Sequence, residues 1–212
     1  MRTEPLKTSL GIWAMGGMVT RFVPGGYQPA HGHETTVQKV ERAVAGLGDL
    51  VDGYEFHYPN EVNEDNLDAV QTALAGHDIY TVCGGLHLNE KFGKGGFCSP
   101  IDAIRDEALA ITFRAIDLAA EVGAHMIIWP GIEGYNYPFQ TPYQDSWNRL
   151  IDAFAQSAQH CRDRGVLLLL EHKNSEPAMK IHMGNIGMCL HVIHKLRVLG
   201  LDNVKINMDW QH

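Results

Sequence analysis

Six short apolar runs, separated by longer amphipathic stretches, constrain this chain more than any other feature. Strands are expected at 7–14, 53–57, 79–83, 125–129, 166–171 and 204–209. Helices are expected at 35–47, 64–75, 100–122, 143–164 and 185–199. Val37, Val40, Val44 and Leu47 recur at helical spacing in the first helix, as do Leu67, Val70 and Leu74 in the second. Ser99 before Pro100 reads as a helix cap with proline at the first helical position. Gly123, Gly165 and Gly200 read as helix stops. Nearly continuous apolar strands alternating with helices imply a parallel sheet covered by helices, an α/β protein.

Two architectures fit that alternation: an open doubly wound sheet and a closed eightfold βα barrel. No G-x-G-x-x-G follows the first strand, which weakens a dinucleotide-binding sheet. Residues with chemistry gather instead at the C-terminal ends of strands: His57, His87, Trp129, Glu171 and Asp209. Barrel enzymes build their active sites there, taking one or two groups from each strand. The chain is therefore read as one domain over 1–212 that supplies about six βα units and is truncated after strand six. Two more units, about 80–130 residues judged from the ~250-residue barrel norm, are expected from further residues, a second fragment or another copy. Open strand edges invite such pairing.

Composition narrows the partners. The 212 residues, 45% hydrophobic, suffice for one substantial core. The net charge of -8, with acids spread along the chain, argues against nucleic-acid or anionic-membrane partners, which want a basic face. No apolar run approaches the roughly 20 residues that span a bilayer, and the first residues hold no apolar signal core. Cys83, Cys98, Cys161 and Cys189 form no C-x-x-C pair. They read as reduced, mostly buried thiols of a cytoplasmic protein.

Glu171 follows a run of four leucines. A buried carboxylate must be paired, protonated or metal-bound. Asp209 ends the next strand, and neighbouring strands lie about 4.8 Å apart, so the two acids are placed to share one ion. Oxygen ligands suit Mg²⁺ or Mn²⁺, and an added imidazole favours Mn²⁺ or Co²⁺. Loop capping or pairing with a lysine is the alternative for both acids. Lys173, two residues beyond Glu171, points to the same side of an extended segment. It is suited to hold an enolate oxygen, or else to pair with Glu176. His57 and His87 suit ligand hydroxyls or structural roles equally. Trp13 and Trp129 suit an apolar wall or the core. His191 and His194 read as surface residues, and the paired glycines at 16–17, 25–26, 84–85 and 95–96 as loops rather than a phosphate cradle.

These segments carry a resemblance. Trp129-Pro130-Gly131-Ile132-Glu133-Gly134 resembles the tryptophan, glycine-rich, glutamate and glycine segment after strand four of xylose isomerases. Glu171-His172-Lys173-Asn174-Ser175-Glu176-Pro177 resembles their strand-five motif, whose first glutamate binds metal and whose lysine binds substrate. Tyr135-Asn136-Tyr137-Pro138-Phe139-Gln140 is similar to the corresponding loop of bacterial L-rhamnose isomerases. Asp209-x-x-His212 resembles strand six of rhamnose isomerases and ketose 3-epimerases, where the aspartate binds metal and the histidine touches substrate. The match runs from Trp129 to the last residue, and the first half matches in layout.

The resemblance implies a (β/α)8 TIM barrel of the xylose isomerase-like superfamily. It implies four metal ligands on strands five to eight, of which this chain supplies Glu171 and Asp209, and a divalent ion, Mn²⁺ before Mg²⁺ or Co²⁺. It places Glu171, Lys173 and His212 among the catalytic groups, and His57, His87, Trp129, Glu133 and Trp13 at a sugar or glycoside. The implied activity is isomerisation or epimerisation by proton or hydride transfer next to a sugar carbonyl. The α subunits of bacterial C-glycoside deglycosidases share the fold, work with a smaller β subunit, and eliminate an aglycone from a 3-oxo-glucoside. The long loop 18–33, with Arg21, Phe22 and Tyr27, suits an aromatic aglycone. A zinc endonuclease for abasic DNA would want more histidine ligands and a basic groove, which the charge opposes. A non-catalytic sugar-binding protein is the reading that follows if the missing ligands are truly absent.

Overall fold

The computed structural model describes residues 5–20, 22–134, 141–174 and 182–210. Its strands are β1 (Ser9–Gly11), β2 (Gly53–Tyr58), β3 (Asp78–Gly84), β4 (His125–Ile128), β5 (Leu168–Glu171) and β6 (Val204–Asn207). The helices are α1 (Thr36–Leu47), α2 (Leu67–Ala73), α3 (Asp102–Glu121), α4 (Tyr143–Asp163) and α5 (Ile186–Val198). The strands form one six-stranded sheet in chain order, β1-β2-β3-β4-β5-β6. Pairing is parallel at β1 with β2, β4 with β5 and β5 with β6. Parallel neighbours require a long crossover, and a helix in each connection supplies it. This is the α/β alternation that the sequence implies.

The residues up to Thr81 form one compact unit. In β2, Tyr54, Phe56 and Tyr58 are buried on one face, while Glu55 and His57 alternate onto the other. Thr35 caps α1 with a full capping box: its side chain accepts from the Gln38 N–H, and the Gln38 side chain accepts from the Thr35 N–H. Asp52 ties the approach to β1 to the approach to β2, accepting from the Thr8 N–H at 2.8 Å and from the Lys7 ammonium at 3.0 Å. The Thr8 backbone bond, then Lys7, holds its carboxyl down at about 2.

The residues from Val82 onward form a second compact unit, with β3 running across the division. Here α3 packs on α4. Ala108, Ala115, Ile116 and Ala119 of α3 are buried, as are Leu150, Phe154, Ala158 and Cys161 of α4. The small residues of α3 let α4 approach closely, and Phe97 fills the remaining space edge-on to Phe154 at 5.9 Å. Asn185 caps α5, its side chain accepting from the Met188 N–H at 3.0 Å. All four cysteines are buried thiols, as expected, and burial pushes Cys161 and Cys189 up to about 12. Among the described residues, no helix is long and apolar enough to cross a membrane.

Several element ends differ from the sequence reading, among them α2, expected at 64–75 and observed as Leu67–Ala73. The first strand is only Ser9–Gly11, and a 3-10 turn takes over at Ile12–Met15. The indole of Trp13 folds back over Gly11, where a Cβ would come within 2.2 Å of it. The helix expected from Pro100 begins at Asp102. Ser99 caps no helix; its hydroxyl accepts from the Ile101 N–H at 3.2 Å, and its carbonyl accepts from Arg105 at 2.6 Å. That local turn delays the helix. Finally, β6 ends at Asn207, two residues before Asp209, because its ladder with β5 closes at the pair Glu171 and Asn207.

Candidate active site

In the second unit, adjacent strand ends bring together three of the residues that the sequence singled out, His87, Trp129 and Lys173. Trp129 follows β4, His87 lies in a 3-10 turn just after β3, and Glu171 is the last residue of β5. The His87 ring meets Trp129 edge-on, with centroids 4.6 Å apart. The Lys173 ammonium lies 5.6 Å from the centroid of the Trp129 ring, within cation–π range. The indole itself lies over Gly131, where a Cβ would come within 2.2 Å of it. A tryptophan with a cation on its face and an imidazole at its edge makes an apolar wall with two polar ends.

Glu171 is 8% exposed, and its Oε2 accepts from the Asn207 amide at 2.7 Å. The strand register sets these two side by side, so the partner of Glu171 on the next strand is a neutral amide. Asp209 is half-buried beyond the end of β6. Among the described residues, no three of His, Cys, Asp and Glu gather in a group that would hold a metal ion. His212 and Arg21 lie outside the described residues, as do the motif positions 135–140 and 175–177.

Glu133, expected at the substrate, is turned into the protein and is 1% exposed. Its Oε1 accepts from the N–H groups of Gly96 and Phe97, and its Oε2 from that of Cys98, all at 3.0 Å. Its carbonyl accepts from the His182 N–H at 3.0 Å. His182 Nε2 lies 2.8 Å from the Ser146 hydroxyl. Burial lowers its pKa from 6.5 to about 4. Because the folded state resists this proton, stability from His182 is complete above pH 6.5 and falls as the pH drops toward 4, where the unfolded chain alone takes it up. Melting curves between those limits should therefore be steeper in pH for the parent than for His182→Gln. Equal slopes would mean that the imidazole is not held neutral by the fold.

The first unit has its own strand-end group. Trp13 is 43% exposed, and its ring lies 4.4 Å from that of His57, which is on β2. The turn after β2 returns Glu61, whose Oε2 accepts from the His57 N–H at 2.7 Å and lies 3.0 Å from its Nδ1. A carboxylate on Nδ1 fixes the ring and directs its other nitrogen as the exchangeable one. Glu61 was missed in the sequence. The only signal was Tyr58-Pro59-Asn60 after a strand-end histidine, a turn that folds the chain back on itself. Elsewhere in this unit, Glu55 accepts from Thr81 at 2.8 Å and from the Ser9 hydroxyl.

Residues 41–212 match the family model described as xylose isomerase-like TIM barrel. The xylose isomerase of Thermus thermophilus is 31% identical over 124 residues, which are 57% of this chain and 32% of that protein. The chain thus spans about a third of the length of that relative. Among solved structures, the 3-keto-D-glucoside 4-epimerase of E. coli superposes with a TM-score of 0.65 at 19% identity, over 96% of this chain and 69% of the other. The D-allulose 3-epimerase of Methylomonas sp. does so with a TM-score of 0.66 at 14% identity, over 96% and 62%. At such identities the superpositions show a common fold. Strand order, strand-end chemistry and family match agree: this chain belongs to the xylose isomerase-like TIM-barrel family.

Proposed function

We propose that this chain is the catalytic barrel, or the larger part of it, of a sugar isomerase or epimerase. The observation that carries the reading is the ammonium of Lys173 held on Trp129, two residues from a buried carboxylate at the end of the same strand. Inverting the carbon beside a sugar carbonyl, or moving that carbonyl, can proceed by a hydride shift or by taking a proton from that carbon and returning it, and the residues here suit the proton route. Trp129 holds the Lys173 ammonium toward the sugar as an apolar support, and His87 beside it bonds a hydroxyl. Glu171 takes the proton as its carboxylate and returns it as the acid. Lys173 stabilises the enolate oxygen that appears as the C–H bond breaks.

In this reading Glu171 and Asp209 are two donors to a divalent cation, Mn²⁺ before Mg²⁺ or Co²⁺, with His212 at the substrate. Among the described residues, these two donors are not joined by a third His, Cys, Asp or Glu to complete such a site. When bound, the cation would polarise the sugar's oxygens.

The test is incubation of the full-length protein with free ketoses in D₂O containing Mn²⁺, followed by NMR. We expect epimer or aldose products carrying deuterium at the carbon next to the carbonyl. Product without deuterium would replace proton transfer by a hydride shift, and the absence of any product would overturn the reading.

One observation favours a second substrate class. Backbone bonds tie the Tyr27 N–H to the Met18 carbonyl and the Gln28 N–H to the Gly17 carbonyl. That segment presents Phe22 at 76% exposure and Tyr27 at 64%. Two aromatic rings on a braced loop suit a flat aglycone, as in the elimination catalysed by C-glycoside deglycosidases. Release of aglycone from a 3-oxo-C-glucoside, with ketoses left untouched, would select this second reading.

A further inference from the structure

The glycine-rich segment before α3 wraps a carboxylate that belongs to the protein itself. Successive N–H groups of Gly96, Phe97 and Cys98 converge on Glu133, each at 3.0 Å. Consecutive backbone N–H groups in a turn form a nest that binds anions. Here the anion is on the neighbouring loop. The glycines make room for it: a Cβ at residue 96 would lie 3.2 Å from Glu133 Oε1, and one at residue 95 would lie 2.8 Å from Cys98 Sγ. Cys98 adds a fourth link, its sulfur accepting from the Gly134 N–H at 3.0 Å.

The same residue reaches the third loop through its main chain. The Glu133 carbonyl accepts from the His182 N–H at 3.0 Å, and the next residue, Met183, accepts from the Lys173 N–H at 2.9 Å. The Glu133 N–H in turn bonds the Pro130 carbonyl at 3.0 Å, closing the turn that follows Trp129. The path from carboxylate to Lys173 is thus a short chain of backbone hydrogen bonds, and both members of the cation–π pair lie at its ends.

We propose that Glu133 is a positioning residue, the internal anion on which three strand-end loops are folded so that Trp129 and Lys173 hold one fixed spacing. The proposal rests on the reading of Trp129 and Lys173 as the sugar site. It predicts an asymmetry between near-identical side chains. Glutamine matches glutamate in shape, but its amide nitrogen would face a donor, either the Cys98 N–H or the pair at Gly96 and Phe97. One oxygen site is lost and a donor confronts a donor. Removal of the whole side chain leaves a carboxylate-sized space lined by N–H groups, which a small anion can refill.

The experiment compares Glu133→Gln, Glu133→Ala and Gly96→Ala in the full-length protein by amide hydrogen exchange and by ketose turnover. In Glu133→Gln, exchange at Gly96 to Cys98 and at the Lys173 amide should rise at least tenfold, while the amides of α3 and α4 keep their protection. Turnover should show a kcat at least tenfold lower with KM within threefold. Formate should restore both readouts in Glu133→Ala, whereas chloride at equal ionic strength should not. Gly96→Ala keeps the charge and crowds the nest, so it should move the same amides to a lesser degree, and it decides the matter if the Glu133 variants do not fold. An unchanged Lys173 amide in the folded variants overturns the brace whatever happens to turnover. Fast exchange with an undiminished kcat overturns positioning. If the parent turns over no sugar but the amides respond as stated, the brace stands and the sugar reading falls.

Discussion

Lys173→Met is expected to lower turnover by about 10²–10³-fold, the usual cost of removing a group that stabilises developing negative charge. The argument starts from what methionine preserves. The side chain keeps its length and flexibility, and its sulfur still packs favourably on an aromatic ring. The Trp129 face, which carries the ammonium at 5.6 Å from its centroid, therefore stays covered. The Lys173 N–H bond to the Met183 carbonyl at 2.9 Å belongs to the backbone and survives the substitution. Cation–π contacts at partly exposed positions contribute only about 0.5–1 kcal/mol, so thermal melting should shift by no more than a few degrees. What disappears is the charge. If that charge meets the enolate oxygen, the loss falls on kcat, with KM little altered. Steady-state rates with a ketose, measured beside a melting curve, separate the cases. Activity within threefold of the parent would assign Lys173 to holding Trp129 in place and nothing more.

Residue placement was legible in the sequence where the strand period sets direction, and hidden where a turn does. Glu171 and Lys173 were legible because a strand of leucines fixes which way each alternate residue faces. Trp129 was legible as a strand-end aromatic. Glu61 was not, because its place beside His57 depends on how the chain folds back through Tyr58, Pro59 and Asn60 before the carboxylate meets Nδ1 at 3.0 Å. Glu133 misled for a related reason. A glutamate two residues after a glycine can face a ligand or a neighbouring loop, and only the distant segment at 96–98 decides which. In the sequence the glycines at 95 and 96 read as a loop rather than a phosphate cradle. Their purpose appears once the carboxylate that they surround is in view. At the level of fold, the six-strand alternation was plain, and the errors sit at element ends, where Ser99 and Trp13 make local contacts that compete with helix and strand.

Gly134→Ala is expected to destabilise the protein far more than the same change at Gly123. Both glycines have positive φ, +87° at Gly134 and +72° at Gly123. An L-residue in that region costs about 1–2 kcal/mol by sterics with its own backbone, and both variants bear that cost. They differ in what surrounds the new methyl group. At Gly123 no atom lies within 4 Å of the added Cβ. At Gly134 it would come to 2.6 Å from His182 Cδ2 and 2.8 Å from the His182 backbone nitrogen. A side chain alone could swing aside, but a backbone nitrogen moves only with its loop. Displacing it stretches the 3.0 Å bond from His182 to the Glu133 carbonyl and the 2.8 Å contact between His182 and Ser146. Each buried bond broken costs about 1–3 kcal/mol when its partners stay dry. The sum, about 3–8 kcal/mol, is comparable to much of the stability of an ordinary domain. With a shift of about 2–4 °C per kcal/mol for a chain of this size, Tm should fall by roughly 6–32 °C in Gly134→Ala and by only a few degrees in Gly123→Ala. Equal losses in the two variants would mean that the loop carrying His182 yields freely, and that the close approach at Gly134 holds nothing in place.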